Sequence, residues 1–196
     1  MGYEASKAIK RRYMDGAFHS RYFVGNGIDV GCGPDSIVRF CRHTFPLMMN
    51  IKNWDMEDGD AQYFEGVEDN TFNFLHSSHS MEHMDDVQIA LDNWIRVVKP
   101  GGYLILSFPD EDMYEQKVWP SRFNSDHKHT FTIHKDDSWS PVSINILSLA
   151  AEISSYAQTE RLICHRDFFI ETPAIVDQTT LPNTTECSIE WILKKV

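Results

Sequence analysis

Short apolar segments alternate with polar segments along most of the chain. Four apolar runs have the length of buried strands, at residues 28–30, 48–54, 72–77 and 103–108. The last of them is apolar almost throughout, which is typical of a strand covered on both faces of a parallel sheet. Between the last two runs, apolar residues recur at helical spacing from Val87 to Val98, so a helix is predicted from about 85 to 98. Lys99-Pro-Gly-Gly102 then ends that helix.

The flanking regions complete an alternating pattern of strands and helices. Residues 1–24 form a basic, aromatic leader whose part from 3 to 23 is predicted to be helical, and 36–44 and 141–155 predict further helices. Two closing strands are predicted at 160–169 and 187–194, joined by a loop without helical periodicity, so they can pair antiparallel. The expected fold is therefore α/β, with a mostly parallel sheet, helices on both faces and ligands beyond the carboxyl ends of the strands.

Residues 109–140 interrupt this regular pattern. The segment is polar and aromatic, and it shows neither helical nor strand periodicity. Segments of this length without periodicity are more often functional loops or lids than plain connections. We therefore expect this segment to belong to a binding site.

The amino-acid composition indicates which kinds of molecule the protein is not expected to bind. The 196 residues contain 18 Lys and Arg against 29 Asp and Glu, a net charge of −11 that disfavours nucleic acid and anionic membranes. No apolar run reaches the roughly 18 residues of a membrane span. The cysteines are scattered, as expected for reduced thiols of a cytoplasmic protein; they are Cys32, Cys41, Cys164 and Cys187. Residues 1–196 are expected to form a single domain.

The first strand runs into a glycine turn with the sequence Gly27-Ile-Asp-Val-Gly-Cys-Gly33. Glycines there allow a ligand to approach backbone N–H groups closely, because no β-carbon intervenes. The dinucleotide fingerprint G-x-G-x-x-G is absent, since the third glycine is missing and Pro34 alters the turn. The turn alone does not distinguish a ligand site from a purely structural turn.

Further motifs follow this turn in a fixed order: Gly59-Asp-Ala61, the segment from Phe72 to Met84 (FNFLHSSHSMEHM), and Val98-Lys-Pro-Gly-Gly102. Together with the glycine turn, they resemble the class I S-adenosylmethionine-dependent methyltransferases, in particular the small-molecule branch called type 11. The resemblance spans about residues 27 to 110. It implies S-adenosylmethionine as cofactor and a Rossmann-like sheet of seven strands, the last inserted antiparallel.

The resemblance also implies which residues surround the cofactor. Asp29 and the turn Gly31-Cys32-Gly33 match the positions around its amino-acid end, where a carboxylate holds the ammonium group. His79, Ser80 and Met81 match the place where the family's chain passes under the sulfonium and methyl group, and Ser78 and His79 are expected to bind the cofactor.

Asp55 matches the acid that accepts the ribose hydroxyls, and Asp60 and Ala61 match the pair beside the adenine. The sequence departs from the family here, since only Met56-Glu-Asp58 separates Asp55 from the Gly-Asp-Ala segment, where the family has a helix. Glu57 or Asp58 are therefore alternatives for the ribose.

The resemblance assigns the acceptor site to residues 109–140. His79 and His127 are the candidate catalytic residues, because histidine titrates near neutral pH without special tuning. Aromatic residues are expected to wall the pocket, and basic ones to hold an anionic group; they are Trp119, Phe123, Phe131 and Trp139, and Arg122, His127 and Lys128. A small molecule or a sugar-containing precursor is the expected acceptor. A nucleic-acid methyltransferase and a non-catalytic cofactor-binding or interaction module remain as alternatives.

His79-Ser-Met-Glu-His83 also fits the H-x-x-E-H pattern of inverted zinc peptidases. That mechanism needs one helix through all five residues and a third ligand downstream. Because the segment begins at a strand end, the sequence favours the methyltransferase interpretation and predicts no metal ligands.

Overall fold

The computed structural model describes residues 3–172, 174–181 and 185–196. The first two residues of the predicted leader lie outside these ranges. The helices are α1 (Glu4–Tyr13), α2 (Val87–Val97) and α3 (Ile146–Glu152), with π-helices at Phe18–Tyr22 and Glu111–Glu115. The strands are β1 (Gly25–Val30), β2 (Met48–Trp54), β3 (Phe72–Ser78), β4 (Val98–Pro109), β5 (Thr130–Thr132), β6 (Ser143–Asn145), β7 (Ala157–His165) and β8 (Ser188–Lys195).

Six strands form the main sheet in the order β2-β1-β3-β4-β8-β7. The first four run parallel, whereas β8 lies antiparallel between β4 and β7. The mostly parallel sheet and its inserted antiparallel strand are thus confirmed. The strands β5 and β6 pair separately, as a small parallel ladder.

The described sheet has six strands, and the expected seventh is missing beyond β2. The chain between β2 and β3 is too short and too polar to add a strand, and it forms a 3₁₀ turn at Met56–Asp58 followed by further turns. As a result β2 is the edge strand, and most of its side chains are exposed. This shortening lies where the sequence departs from the family.

Alternate residues of the sheet enter two different cores. Leu75, Leu104 and Trp191 pack with helices α2 and α3 on one face, whereas Phe74 and Ile105 pack with α1 and the first π-helix on the other. Adjacent strand residues point to opposite faces, so both faces are covered by apolar side chains. Helices on both faces of the sheet are confirmed.

Two predicted helices are shorter than expected. Residues 36–44 hold only a 3₁₀ turn at Ile37–Phe40, capped by Ser36, whose hydroxyl accepts from the N–H of Val38. Residues 141–155 contain β6 before α3 begins, capped by Asn145. In the first segment a left-handed backbone at Arg42, with a φ of 65°, ends helical geometry, and in the second the Asn145 cap marks where the helix starts.

Helix α1 is attached to the sheet by a fully buried arginine. The Arg12 guanidinium donates to the carboxylate of Glu190 on β8, to Nε2 of His76 on β3 and to the hydroxyl of Ser107 on β4. Neither Arg12 nor Glu190 is exposed. Burial opposes ionisation of Glu190, but the attraction of Arg12 outweighs it and lowers the pKa of that carboxyl well below its ordinary value. The leader is thereby fixed against three strands of the sheet.

Replacing Glu190 tests how much its ion pair with Arg12 contributes to the stability of the fold. We expect Glu190→Gln to lower the free energy of unfolding by about 3–5 kcal/mol, because it leaves a buried guanidinium without its counter-charge. The exposed pair of Arg166 and Glu171 provides the control, and Glu171→Gln is expected to change stability by about 1 kcal/mol or less. Urea unfolding measures both, and equal losses would contradict this account.

Candidate active site

A cavity of about 330 Å³ opens at the carboxyl ends of β1 and β3, under the segment that follows β4. This is the edge where ligands bind in open α/β sheets. Of the residues predicted to hold the cofactor or act in catalysis, those that line it are Asp29, Gly31, Cys32, Ser78, His79 and His127. The structure therefore brings the end of the first strand and the later histidines to one place.

The glycine turn is held by the acid that follows β2. One carboxylate oxygen of Asp55 accepts from the N–H of Gly33 at 2.9 Å, and the other accepts from the N–H of Met56. Gly31 and Gly33 both have positive φ values, 64° and 46°, which glycine adopts without steric cost. Burial and the neighbouring Asp29 and Asp55 raise the pKa of Cys32 to about 11, so its thiol stays protonated.

Asp29 lies at the floor of the cavity with both carboxylate oxygens in use. Oδ2 accepts from the N–H of Ile37 at 2.9 Å, and Oδ1 lies 2.7 Å from Nδ1 of His76. Because the guanidinium of Arg12 can only donate, Nε2 of His76 accepts from it and Nδ1–H donates to Asp29. The predicted cofactor acid is thus held by the network that fixes helix α1.

The residues predicted for the adenosine half lie outside the cavity lining. Asp55 and Asp58 form a capping box around the 3₁₀ turn, and Asp60 is exposed and accepts from the N–H of Gln62. The backbone carbonyl of Ala61 accepts from the indole of Trp94. Asp58 and Asp60 are exposed, and Asp55 and Ala61 are half-buried, in the short connection that follows β2.

Glutamates and histidines surround the other end of the cavity. His127 is buried, and its Nδ1 lies 2.6 Å from Oε1 of Glu115 and its Nε2 3.9 Å from Oε1 of Glu82. Burial alone lowers the pKa of His127, but the hydrogen bond to Glu115 and the charge of Glu82 outweigh burial and raise it. For His79, burial and the nearby His127 lower the pKa to about 3, so His79 is neutral.

The histidine segment does not form the helix of a zinc peptidase. His79 has a φ of 54°, in the left-handed region, and only Met81–His83 form a 3₁₀ turn. Glu82 and His83 nevertheless lie on the cavity side of that turn, together with His127. Sequence reasoning named both residues only as part of the H-x-x-E-H pattern and assigned them no role.

Fewer side chains of the segment after β4 line the cavity than expected. Among its predicted aromatic residues, Phe123 lines the cavity, whereas Phe131 packs on Phe108 in the core and Trp139 binds Asp112 through its indole N–H. Tyr114, which was not predicted as a wall, stacks on the ring of His127 at 5.2 Å. Neither Arg122 nor Lys128 belongs to the lining, and Lys128 pairs with Asp85.

Comparisons with known proteins bear on the family and the fold of the chain. A family model for a methyltransferase domain matches residues 8–136. The chain belongs to the S-adenosylmethionine-dependent methyltransferases. A search of curated proteins finds no match.

Solved structures share the fold of this chain at low sequence identity. An S-adenosylmethionine-dependent methyltransferase from Archaeoglobus fulgidus is 16% identical with a TM-score of 0.58, covering 99% of this chain and 94% of its own. A chain from the complex of a methyltransferase with its activator Trm112, from Haloferax volcanii, is 12% identical with a TM-score of 0.55, covering 98% and 96%. The YcgJ protein of Bacillus subtilis is also 12% identical, with a TM-score of 0.53, covering 98% and 97%.

The methyltransferase cofactor is S-adenosylmethionine, and the cavity fits its amino-acid end. Asp29 offers a buried carboxylate for an ammonium group, and the turn at Gly31 and Cys32 presents backbone without bulky side chains. Nε2 of His79 is buried without a hydrogen-bond partner and belongs to the same lining. No helix among residues 3–172, 174–181 and 185–196 has the length and apolarity to cross a membrane.

Gly31 is required by its neighbour Ser80. A β-carbon at Gly31 would collide with the side chain of Ser80, so a substitution there lowers the stability of the fold whether or not a cofactor is bound. We expect Gly31→Ala to cost about 1–2 kcal/mol for the left-handed backbone and about 1–3 kcal/mol for overpacking. Adding Ser80→Gly should restore the overpacking part.

Gly66 is the matched control, since its φ is 78° and nothing lies within 4 Å of an added β-carbon. Gly66→Ala is expected to show the backbone cost alone. Chemical unfolding of the variants measures each change. If Gly31→Ala and Gly66→Ala lose equal stability, the contact with Ser80 is not what requires glycine.

Proposed function

We propose that this methyltransferase acts on a small, hydroxyl-rich molecule such as a sugar-containing precursor, bound in the cavity under residues 109–140. The charge of the cavity lining carries this proposal. The lining contains carboxylates and histidines but no Lys or Arg among its described residues; these are Glu4, Asp29, Asp35, Glu82 and Asp177, with His76, His79, His83 and His127. Carboxylates accept hydrogen bonds from hydroxyl groups and repel phosphates.

S-adenosylmethionine, when bound, supplies a methyl group on a positively charged sulfur. Asp29 would hold the ammonium group at the amino-acid end, and the turn at Gly31 and Cys32 would take the carboxylate. His79, whose buried Nε2 has no hydrogen-bond partner, would lie on the side of the methyl group. Nε2 of His127 lies toward the acceptor side of the cavity, because Glu115 occupies its Nδ1–H. Alignment of the acceptor and exclusion of water then account for most of the rate.

Aromatic rings close the acceptor side of the cavity. Tyr114 stacks on His127 and meets Phe123 edge to face at 5.7 Å between ring centroids. Rings in this arrangement keep water from the reacting atoms and hold the imidazole in place. The acceptor therefore lies between this aromatic wall and the end of β3.

The same lining argues against nucleic acid as the acceptor. Recognition of nucleic acid depends on basic side chains that neutralise phosphates, and the net charge of −11 adds to the repulsion. Arg122 is exposed and Lys128 is paired with Asp85, so neither directs positive charge into the cavity. We propose the acceptor to be neutral or cationic.

Binding of S-adenosylhomocysteine tests the proposed cofactor residues without an acceptor. We expect Asp55→Asn to weaken its binding by about 10- to 100-fold, as for the loss of hydrogen bonds of roughly 1.5–3 kcal/mol to a carboxylate. Glu57→Gln is the exposed control and should bind as the wild type does.

Asp58→Asn separates two roles of Asp55, because Asp58 supports the same turn through its contact with the N–H of Asp55. A loss as large as that of Asp55→Asn would show that the turn matters and not a ribose contact. Isothermal titration of the three variants decides this. Negligible losses in all three would place the ribose elsewhere.

Replacing a residue on the acceptor side of the cavity should lower turnover and leave cofactor binding unchanged. After a screen of sugars, amines and phenols with labelled methyl donor, Phe123→Ala is expected to lower kcat/KM for the acceptor roughly tenfold or more, since it removes an apolar wall. Trp139→Phe is the control from the same segment, because Trp139 does not line the cavity. Equal effects of both variants, or a parallel loss of S-adenosylhomocysteine affinity in Phe123→Ala, would contradict the placement of the acceptor.

A further inference from the structure

Glu82 is a buried carboxylate without a hydrogen-bond partner in the described protein; the side-chain nitrogens beside Oε1 are Nδ1 of His79 at 3.8 Å and Nε2 of His127 at 3.9 Å. It follows β3 in the turn Met81–His83, its side chain is fully buried, and neither of its oxygens has a hydrogen-bond partner. Buried carboxylates in folded proteins are normally paired with donors, cations or metals. Glu82 borders the cavity, so its missing partner has a route of entry.

Two histidines face the same carboxylate, and each has its other nitrogen anchored. Nδ1 of His127 is bound to Glu115, and Nδ1 of His83 lies 3.0 Å from the carboxylate of Asp126 and 3.1 Å from its backbone carbonyl. Both Nδ1 atoms therefore carry a proton that they donate to oxygen, which leaves the lone pair on Nε2. A carboxylate or carbonyl behind each imidazole is the usual support of a metal-binding histidine.

The donor atoms of this group are close together. One donor each from Glu82, His83 and His127 lies within 4.8 Å of the others, and Nε2 of His127 is 3.9 Å from Oε1 of Glu82. Bonds of about 2.0–2.2 Å to a single cation need donors roughly 3.5 Å apart. Small side-chain rotations, with shifts on the order of 1 Å, bring the three donors to that spacing.

We propose that Glu82, His83 and His127 bind a divalent transition-metal cation, of which Zn²⁺ is the representative. Two imidazole nitrogens and one carboxylate suit Zn²⁺ and its neighbours, whereas Mg²⁺ and Ca²⁺ prefer oxygen ligands alone. Three protein ligands leave a coordination position open, as in catalytic zinc sites. The cavity gives a small ligand access to that position.

The role of the cation in the reaction rests on the proposed function. An acceptor hydroxyl that takes the open position loses its proton more easily, because the cation stabilises the alkoxide. The proton passes to water, the oxygen forms a bond to the methyl carbon, and the carbon–sulfur bond breaks with its electron pair left on sulfur. His127 then acts on the acceptor through the cation and does not take the proton itself.

Metal binding is tested on the purified full chain without cofactor or acceptor. After chelation and dialysis, the protein is titrated with Zn²⁺ alone by calorimetry, and with Co²⁺ by its visible absorption. We expect one cation per chain in the wild type. Glu82→Gln and His83→Gln should each abolish stoichiometric binding, and Glu115→Gln should weaken it by about 10- to 100-fold, because it loosens the support of His127.

A control variant at an exposed histidine distinguishes binding at the proposed cation site from unspecific binding of the cation at the surface. His134 lies in the same segment as His127 but is exposed and outside the cavity lining. His134→Gln should leave the affinity unchanged. The site is refuted if the wild type takes up no stoichiometric cation, or if His134→Gln lowers binding as much as His83→Gln does.

Thermal unfolding shows whether a variant loses cation binding because it lacks a ligand or because it does not fold. In the metal-free state, Glu82→Gln should be at least as stable as the wild type, because a neutral amide replaces a buried carboxyl group that has no hydrogen-bond partners. Added Zn²⁺ should raise the Tm of the wild type and leave that of Glu82→Gln unchanged. An equal rise in both proteins would refute binding at Glu82.

Turnover then tests the role of the cation separately. Once an acceptor is known, chelation should abolish methyl transfer while S-adenosylhomocysteine still binds, and Zn²⁺ or Co²⁺ should restore it. If chelated protein turns over at the full rate although the titrations show a bound cation, the cation site stands and its role at the acceptor is refuted. If no cofactor binds at all, the proposed function fails and the titrations still decide the cation site.

Discussion

The buried pair of Arg12 and Glu190 is the interaction on which the arrangement of the site depends. Arg12 reaches from helix α1 to three strands, and through His76 its hydrogen bonds continue to Asp29 at the floor of the cavity. A guanidinium and a carboxylate without solvent are stable only while each has the other. Helix α1 and strand β1 are therefore held in one fixed relation, and Asp29 cannot turn away without breaking these hydrogen bonds.

The sequence predicted most of the sheet because its signals are local. The apolar runs that became β1 to β4, the helical spacing of α2 and the antiparallel closing pair all appear in the structure. The missing seventh strand lies where the connection after Asp55 is short, a departure visible in the sequence. The helix expected at 36–44 was wrong because the chain leaves helical geometry after the turn Ile37–Phe40, with a left-handed backbone at Arg42 that periodicity does not record.

The site was less predictable because it depends on contacts between distant residues. Motifs placed Asp29, Gly31, Cys32, Ser78 and His79 at one cavity, and this grouping is what the structure shows. Nothing in the spacing of Glu82 and Glu115 indicates that both would face His127, since a loop of irregular structure brings them together. Likewise, Arg12 lies in a basic helix whose other charges are more exposed, so its burial has no local signal.

The two ends of the cavity handle buried charge in opposite ways. At Asp29 both carboxylate oxygens have donors, which makes that end rigid and stable before any ligand arrives. At Glu82 neither oxygen has a hydrogen-bond donor, and burial raises the pKa of that carboxyl, so ionisation there is unfavourable in the folded state. Such a cost persists in a protein when a ligand offsets it, since binding to the folded state alone is coupled to stability. The satisfied end is thus suited to fixing the proposed methyl donor, and the unsatisfied end is where the proposed cation would offset the buried carboxylate.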